Sequence, residues 1–296
     1  MGAVHETSHL QRRPALVRTR ALLAAGWTER DIRRAVASGR LLRLRGGAFG
    51  SPDLDEAYQA AGRARGRLTG VTALRRMGVF AHDDDLLHIH IPPSAARLRA
   101  ASPAHRVHRR RLIRTPHPDA LAVEAIDAVY DAVLTQPPRL GVATIDSALH
   151  LRVLDPDDLD ELFAALPRRY RRLRRLVDAR AESGPETLMR LILRSLGCRF
   201  ECQVEIPGVG RVDFLVDGWL IIECDSAAFH SSWEAQRADR RRDQAAATRG
   251  YATHRVIAED LLWHPDEVRA AVGGLLALRF TSEKQARMVL SARRAG

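Results

Sequence analysis

Two apolar runs joined by Asp217-Gly218 constrain this chain more than any other feature. They lie in RVDFLVDGWLIIECDSAAFH, from Arg211 to His230. An Asp-Gly pair between such runs is the turn that folds neighbouring strands back on each other. The sequence therefore predicts an antiparallel hairpin, RVDFLV against WLIIEC, that brings Asp213 and Glu223 to one region of a small sheet. Asp225 and His230 follow. Carboxylates at the ends of hydrophobic strands lose their hydration and are costly unless compensated. A divalent cation is the usual compensation, because hard cations take carboxylate oxygens.

The flanking segments extend this unit. PETLMRLILRSLG reads as a helix with Pro185 at its start and Gly197 at its stop. CRFECQVEI reads as a strand, SSWEAQRADRRRDQAAATRG as a long basic helix ended by Gly250, and YATHRVI as a last strand. AEDLLWHPDEVRAAVGGLLAL closes as helix. The expected order from residue 183 onward is α-β-β-β-α-β, and RAESGPET around Ser183 is the best boundary before it.

The front of the chain has a different grammar. LVRTRALLAAGW is a periodic apolar helix, and Thr28 caps TERDIRRAVASG, which stops at Gly39. LLRLRGGAFGS then gives two extended pieces around Gly46-Gly47. Helix, helix and basic hairpin make a winged-helix arrangement, which sets its second helix in the major groove and its wing on the backbone. Arg33, Arg34, Arg43 and Arg45 are the expected DNA contacts; the plain alternative is a small helical subdomain with solvated arginines. EAYQAAGRARGRLTGVTALRRMGV reads as helical with a break near Gly70. LLHIHIPPS and HRVHRRRL read as strands, and His88, His90, His105 and His108 are assigned to the surface or to nucleic-acid contact rather than to a metal.

Residues 115 to 182 read as a helical linker region. AVEAIDAVYDAVL and VATIDSALHLRVL have apolar spacings near 3.6. PRRYRRLRRLVDAR places Tyr170, Leu173, Leu176 and Val177 on one face, with Arg168, Arg169, Arg171, Arg172, Arg174 and Arg175 on the rest. Such a run is usually a solvated face, and it can also steer a phosphate backbone.

Composition narrows the partners. The 296 residues carry a net charge of +11, with a sequence pI near 10.8, which favours a polyanion. Lys284 is the only lysine, so the charge is almost wholly arginine. Cys198, Cys202 and Cys224 form no CxxC pair and no even framework, as expected of reduced cytoplasmic thiols. No apolar run suits a membrane span and the first residues lack an apolar signal core, so no membrane partner is expected.

The C-terminal residues resemble the PD-(D/E)XK nuclease fold, most closely its very-short-patch-repair-like branch. The resemblance rests on Glu186, the VDF strand with Asp213, Glu223-Cys224-Asp225, Phe229-His230, Asp239-Arg240-Arg241-Arg242-Asp243, and Gly250-Tyr251 leading to Arg255-Val256. It covers residues 184 to 263 or so. Two departures stand out: Asp225 holds the place of the general motif's lysine, and Ser226 that of a usual glycine. The resemblance implies that Asp213 and Glu223 hold Mg²⁺ or Mn²⁺, joined by the backbone carbonyl of Cys224. It implies His230 as general base and Glu186 as an outer ligand. Asp225 either orients His230 or binds a second metal. Glu186 equally suits a helix N-terminus, where the dipole favours a carboxylate. Arg240, Arg241 and Arg242 are expected on DNA.

Residues 15 to 52 resemble the winged-helix domain of AbiEi-type antitoxins, which implies DNA binding. The expected fold class is α/β (α+β): a winged-helix region over 1–114, the helical linker over 115–182 and a nuclease domain over 183–296. The expected function is metal-dependent endonucleolytic cleavage of DNA, in repair or phage defence. The alternative is an antitoxin-like transcription regulator with a degenerate nuclease domain. DNA is the expected partner, with a second copy of the chain or a toxin as further candidates.

Overall fold

The computed structural model describes residues 15–294 except 83, 96–102 and 226–232. The chain is mixed α and β with small sheets and divides into two compact units, Met1–Val177 and Asp178–Gly296. The boundary falls ahead of Ser183, and residues 115–177 belong to the first unit rather than standing as a linker. No helix among the described residues is long and apolar enough to cross a membrane.

The first unit opens with β1 (Val17–Arg18), α1 (Thr19–Ala24), α2 (Glu29–Ala37), β2 (Leu42–Arg43) and β3 (Ala48–Gly50). Thr28 and Asp31 close a capping box on α2, which satisfies backbone donors the first turn would leave unpaired. Ile32 meets Leu22 and Phe49 in a small core backed by Trp27, Val36 and Leu41. The strands order as β1-β3-β2, with Gly46 and Gly47 in left-handed conformations at the hairpin tip.

A second sheet follows. The segment read as one broken helix is α3 (Glu56–Arg63), β4 (Arg67–Leu68) and α4 (Gly70–Arg76). β5 (Leu87–His90) and β6 (His105–His108) complete the order β4-β5-β6. α5 (Ala125–Thr135) packs on α4 and on α6 (Pro138–His150), and α7 (Asp158–Ala165) leads into a 3-10 helix, Arg168–Leu176. The sequence reads that last element as a helix with one apolar face. Its triplets RRY-RRL-RRL repeat every three residues, the period of a 3-10 helix.

The second unit contains α8 (Gly184–Leu196), β7 (Phe200–Ile206), β8 (Gly210–Val216), β9 (Leu220–Asp225), α9 (Trp233–Thr248) and β10 (Ala252–Ile257), then α10 (Ala258–Trp263) and α11 (Pro265–Arg294). The expected α-β-β-β-α-β order is present, and the closing helix is broken at His264. The sheet runs β10-β9-β8-β7, antiparallel except for the parallel β9–β10 pair. Asp217 and Gly218 both have positive φ, 47° and 72°, which the tight hairpin turn requires. The turn fixes the register Phe214–Ile222, Leu215–Ile221 and Val216–Leu220. α9 gives Ala245 and Ala246 to a core with Ile206, Val209, Val212 and Ile221. α8 packs with β9, α10 and α11.

Candidate active site

Asp213 and Glu223 stand where the β8–β9 ladder stops. The last regular pair is Phe214–Ile222, so these two residues come next across the hairpin. Their carboxylates replace the missing ladder bonds. Cys224 N–H donates to Asp213 Oδ2 at 2.8 Å, and Asp213 N–H donates to Glu223 Oε2 at 3.3 Å. The expected meeting of these acids is thus observed, and the backbone of Cys224 touches the site through its N–H. Glu223 is buried, 9% exposed, because β9 is an interior strand.

Two arginines answer this charge. Arg242, expected on DNA, instead turns to the sheet: Nη2 donates to Glu223 Oε1 at 3.0 Å and to the Arg211 carbonyl at 2.8 Å. Its Nε donates to the Val209 carbonyl. Arg255, opposite Glu223 in the parallel pair, reaches Asp225 Oδ1 at 3.4 Å and Asp243 Oδ1 at 3.0 Å. Asp225 is exposed at the strand end. Both arginines were written in the sequence, but nothing in a helix or strand pattern says which of several arginines turns inward.

Glu186 is held from the other side. It is buried at 7% exposure and accepts from the Glu182 N–H at 3.0 Å and from Gln203 Nε2 at 2.7 Å. Ser183 caps α8 by accepting from the Glu186 N–H, so the expected helix-start role is real and coexists with a place beside the acids. Gln203 is a residue the sequence reading missed. β7 pairs Cys202 with Phe214 and Val204 with Val212, leaving Gln203 opposite Asp213 and out of the ladder. Its φ is 57°, a left-handed conformation that a non-glycine residue adopts at a cost. Gln203 Oε1 accepts from Arg211 Nε at 2.6 Å, and Arg211 also pairs with Glu182. Glu186, Gln203, Arg211 and Glu182 form one network on the rim of the acids.

Burial and charge crowding act together here. Burial pushes Asp213 from 3.8 to about 6, the Cys224 N–H opposes that rise, and the negative charges of Glu186, Glu223 and Asp225 add to it. Burial also raises Glu223, opposed chiefly by the Arg242 guanidinium. The Cys224 thiol is pushed well above its usual value by burial and then by the nearby carboxylates, so its sulfur is a poor ligand. The acids form an under-neutralised pocket of hard oxygen donors, and Arg242 supplies part of the positive charge they require. That donor set fits Mg²⁺ or Mn²⁺. Among the described residues, no three His, Cys, Asp or Glu side chains already stand in a metal-holding group.

The remaining expected residues are scattered. His230 lies outside the described residues. Arg240 and Arg241 are exposed on α9, Arg240 over the Trp233 ring at 5.7 Å. Arg33, Arg34, Arg43 and Arg45 are all exposed on α2 and its hairpin. Arg33 pairs with Glu29 at 3.3 Å, and Arg43 lies over Phe49.

The histidines of the first unit correct the surface assignment. His88 and His90 are buried, 0% and 2% exposed, because β5 is the central strand of its sheet. His88 Nε2 lies 3.1 Å from Asp84 Oδ1, and its Nδ1 lies 3.2 Å from His108 Nε2. His108 Nδ1 lies 3.4 Å from Asp131 Oδ1. Thr69 and Arg110 also bond Asp131, and Arg110 bonds Asp127. This is a buried polar chain, and the ring nitrogens of His88 and His108 are committed to neighbours, whereas His90 Nδ1 is buried with no hydrogen-bond partner among the described residues.

No protein-family model matches the chain, and no curated protein matches it.

Proposed function

We propose that this protein is a metal-dependent DNA endonuclease whose C-terminal unit hydrolyses phosphodiester bonds and whose first fifty residues help to hold DNA. The observation that carries the reading is the crossed pair at the hairpin mouth, where Asp213 and Glu223 face each other as the ladder ends. The α-β-β-β-α-β order and the mixed four-stranded sheet support it, as does the net charge of +11.

Asp213 and Glu223 would hold Mg²⁺ or Mn²⁺, with the Cys224 backbone beside them. When bound, such an ion polarises the scissile phosphate and stabilises charge on the leaving oxygen. Glu186, fixed by Gln203, supplies an outer carboxylate. Arg242 and Arg255 offset the negative field that a phosphate would otherwise meet, through Glu223 and Asp225 respectively. His230 keeps its role as general base on the sequence resemblance, because an imidazole takes a proton from water near neutral pH.

A second reading is favoured by the same arginines. With Arg242 on Glu223 and Arg255 on Asp225, the fold has internal counter-charges and can stand without an ion. That arrangement suits an antitoxin-like DNA-binding regulator with a silent nuclease fold. Glu223→Gln decides between the two. The nuclease reading expects DNA cleavage in Mg²⁺ or Mn²⁺ to fall by orders of magnitude while folding survives. Cleavage that continues unchanged in this variant or in excess chelator rules the site out. A wild-type protein that binds DNA but neither binds Mn²⁺ nor cuts is the regulator.

A further inference from the structure

We propose that the 3-10 helix Arg168–Leu176 is a separate phosphate-backbone docking surface for DNA. It adds a contact to the DNA reading above and rests on DNA being the partner, but it draws on a different part of the molecule.

The argument begins with the period. A 3-10 helix has three residues per turn, so side chains at i and i+3 eclipse, and each turn rises about 6 Å at about 2.0 Å per residue. The triplets RRY-RRL-RRL therefore sort into three rows. Tyr170, Leu173 and Leu176 form the inward row, with Leu173 buried and the other two half-buried. Arg168, Arg171 and Arg174 form a second row, and Arg169, Arg172 and Arg175 a third. All six arginines are exposed. Runs of this helix beyond about four residues are uncommon, and this one covers nine. The long run keeps both basic rows straight. In an α-helix the same arginines would wind around the axis.

Local acids do not cancel the rows. Of the acidic residues on α7, Asp158 and Glu161 pair with Arg114, and Asp160 pairs with Arg174 at 2.6 Å. Arg174 also lies over Phe163 and Arg169 over Tyr170, which stiffens one end of each row. Arg168, Arg171, Arg172 and Arg175 have no carboxylate partner among the described residues.

Regularity selects the ligand. Guanidinium forks repeating every turn meet a regular array of anions, as successive phosphates of a nucleic-acid strand provide. A lipid surface would also need apolar anchors on the exposed side, and here the apolar row faces the core. Contacts to the phosphate backbone position the duplex without reading its sequence. The surface therefore adds affinity and salt dependence, and no base preference.

The test uses the full chain with Arg168→Gln, Arg171→Gln, Arg172→Gln and Arg175→Gln combined. Glutamine keeps much of the stem and removes the charge. Binding of a random-sequence duplex is followed across salt concentration. The slope of log affinity against log salt should flatten by up to about 0.9 for each lost contact. The matching set of Arg→Lys changes should restore most of the slope. An unchanged slope in the folded Gln variant overturns the proposal. So does a loss confined to anionic phosphatidylserine vesicles with duplex binding intact. Failure of the nuclease reading is separately visible, since Glu223→Gln addresses cleavage. Failure of the α2 hairpin as a DNA contact is visible in neutralising Arg33, Arg34, Arg43 and Arg45.

Discussion

Arg242 Nη2 lies 3.0 Å from Glu223 Oε1, so a helix side chain supplies positive charge where a cation is expected to bind. On the proposed metal reading, the pair links the stability of the metal-free protein to its affinity for the ion. Arg242→Gln leaves a buried carboxylate short of its partner. The pair is partly solvated, with Arg242 37% exposed, so the cost should be about 1–2 kcal/mol rather than that of a fully buried pair. Mn²⁺ affinity should rise in the same variant, because a competing cation is gone. Thermal melts with and without MnCl₂ check both: the melting temperature should drop without metal and recover with it. A variant that binds Mn²⁺ no better than the wild type places the ion elsewhere.

Acid should loosen the metal. The Asp213 carboxyl is raised from 3.8 to about 6 in the folded protein, first by burial. A raised carboxyl contributes stability that is present below its unfolded value and lost as pH climbs through its folded value. In the apo protein, Asp213 should therefore become a liability between about pH 4 and 6. A metal bound at Asp213, as proposed, would reverse this, because it needs the ionised form. Mn²⁺ affinity measured calorimetrically should fall steeply below about pH 6, and Asp213→Asn should bind weakly with a flatter profile. A wild-type affinity unchanged from neutral pH down to about 5 removes Asp213 from the ligand set.

Gln203→Gly separates strain from function. Glycine accepts the φ of 57° at this position without penalty, so stability should change by no more than about 1 kcal/mol, with strain relief set against lost bonds. Glu186 loses its 2.7 Å donor, and cleavage should fall at least several-fold. Activity equal to the wild type would leave Gln203 a strand irregularity.

Gly70→Ala tests the buried chain of the first unit. A methyl at Gly70 would sit 2.5 Å from His88 Nδ1, on a backbone with φ of +52°. Both steric faults act together, and stability should fall by about 2 kcal/mol or more. Chemical denaturation of the two proteins measures it. A loss below about 0.5 kcal/mol would mean that His88 moves aside easily.

Much of the second unit was legible because its signals are local. Asp217-Gly218 names its own turn, and the turn dictates which acids meet. Pro185 and Gly197 bracket α8 in the same way. Arg242 was not legible, since the sequence sends all three arginines of DRRRD to DNA and nothing in it says which one turns to the sheet. Gln203 was hidden because nothing in FECQVEI marks a left-handed residue inside a strand. His88 and His90 were misassigned for a related reason: alternation finds the faces of a strand but cannot say that both are covered. At Arg168–Leu176 the three-residue period stands in the sequence, but a single apolar face does not say which kind of helix carries it.

The parallel pairing of β9 with β10 gives the site a history as well as a shape. Asp213 and Glu223 meet across a short hairpin, which closes quickly because little chain entropy is lost. Arg255 reaches Asp225 only after the whole of α9 has crossed over. In chain order the acids thus precede both arginines that offset them. A chain cut short after β9 would keep Asp213, Glu223 and Asp225 and lose both counter-charges.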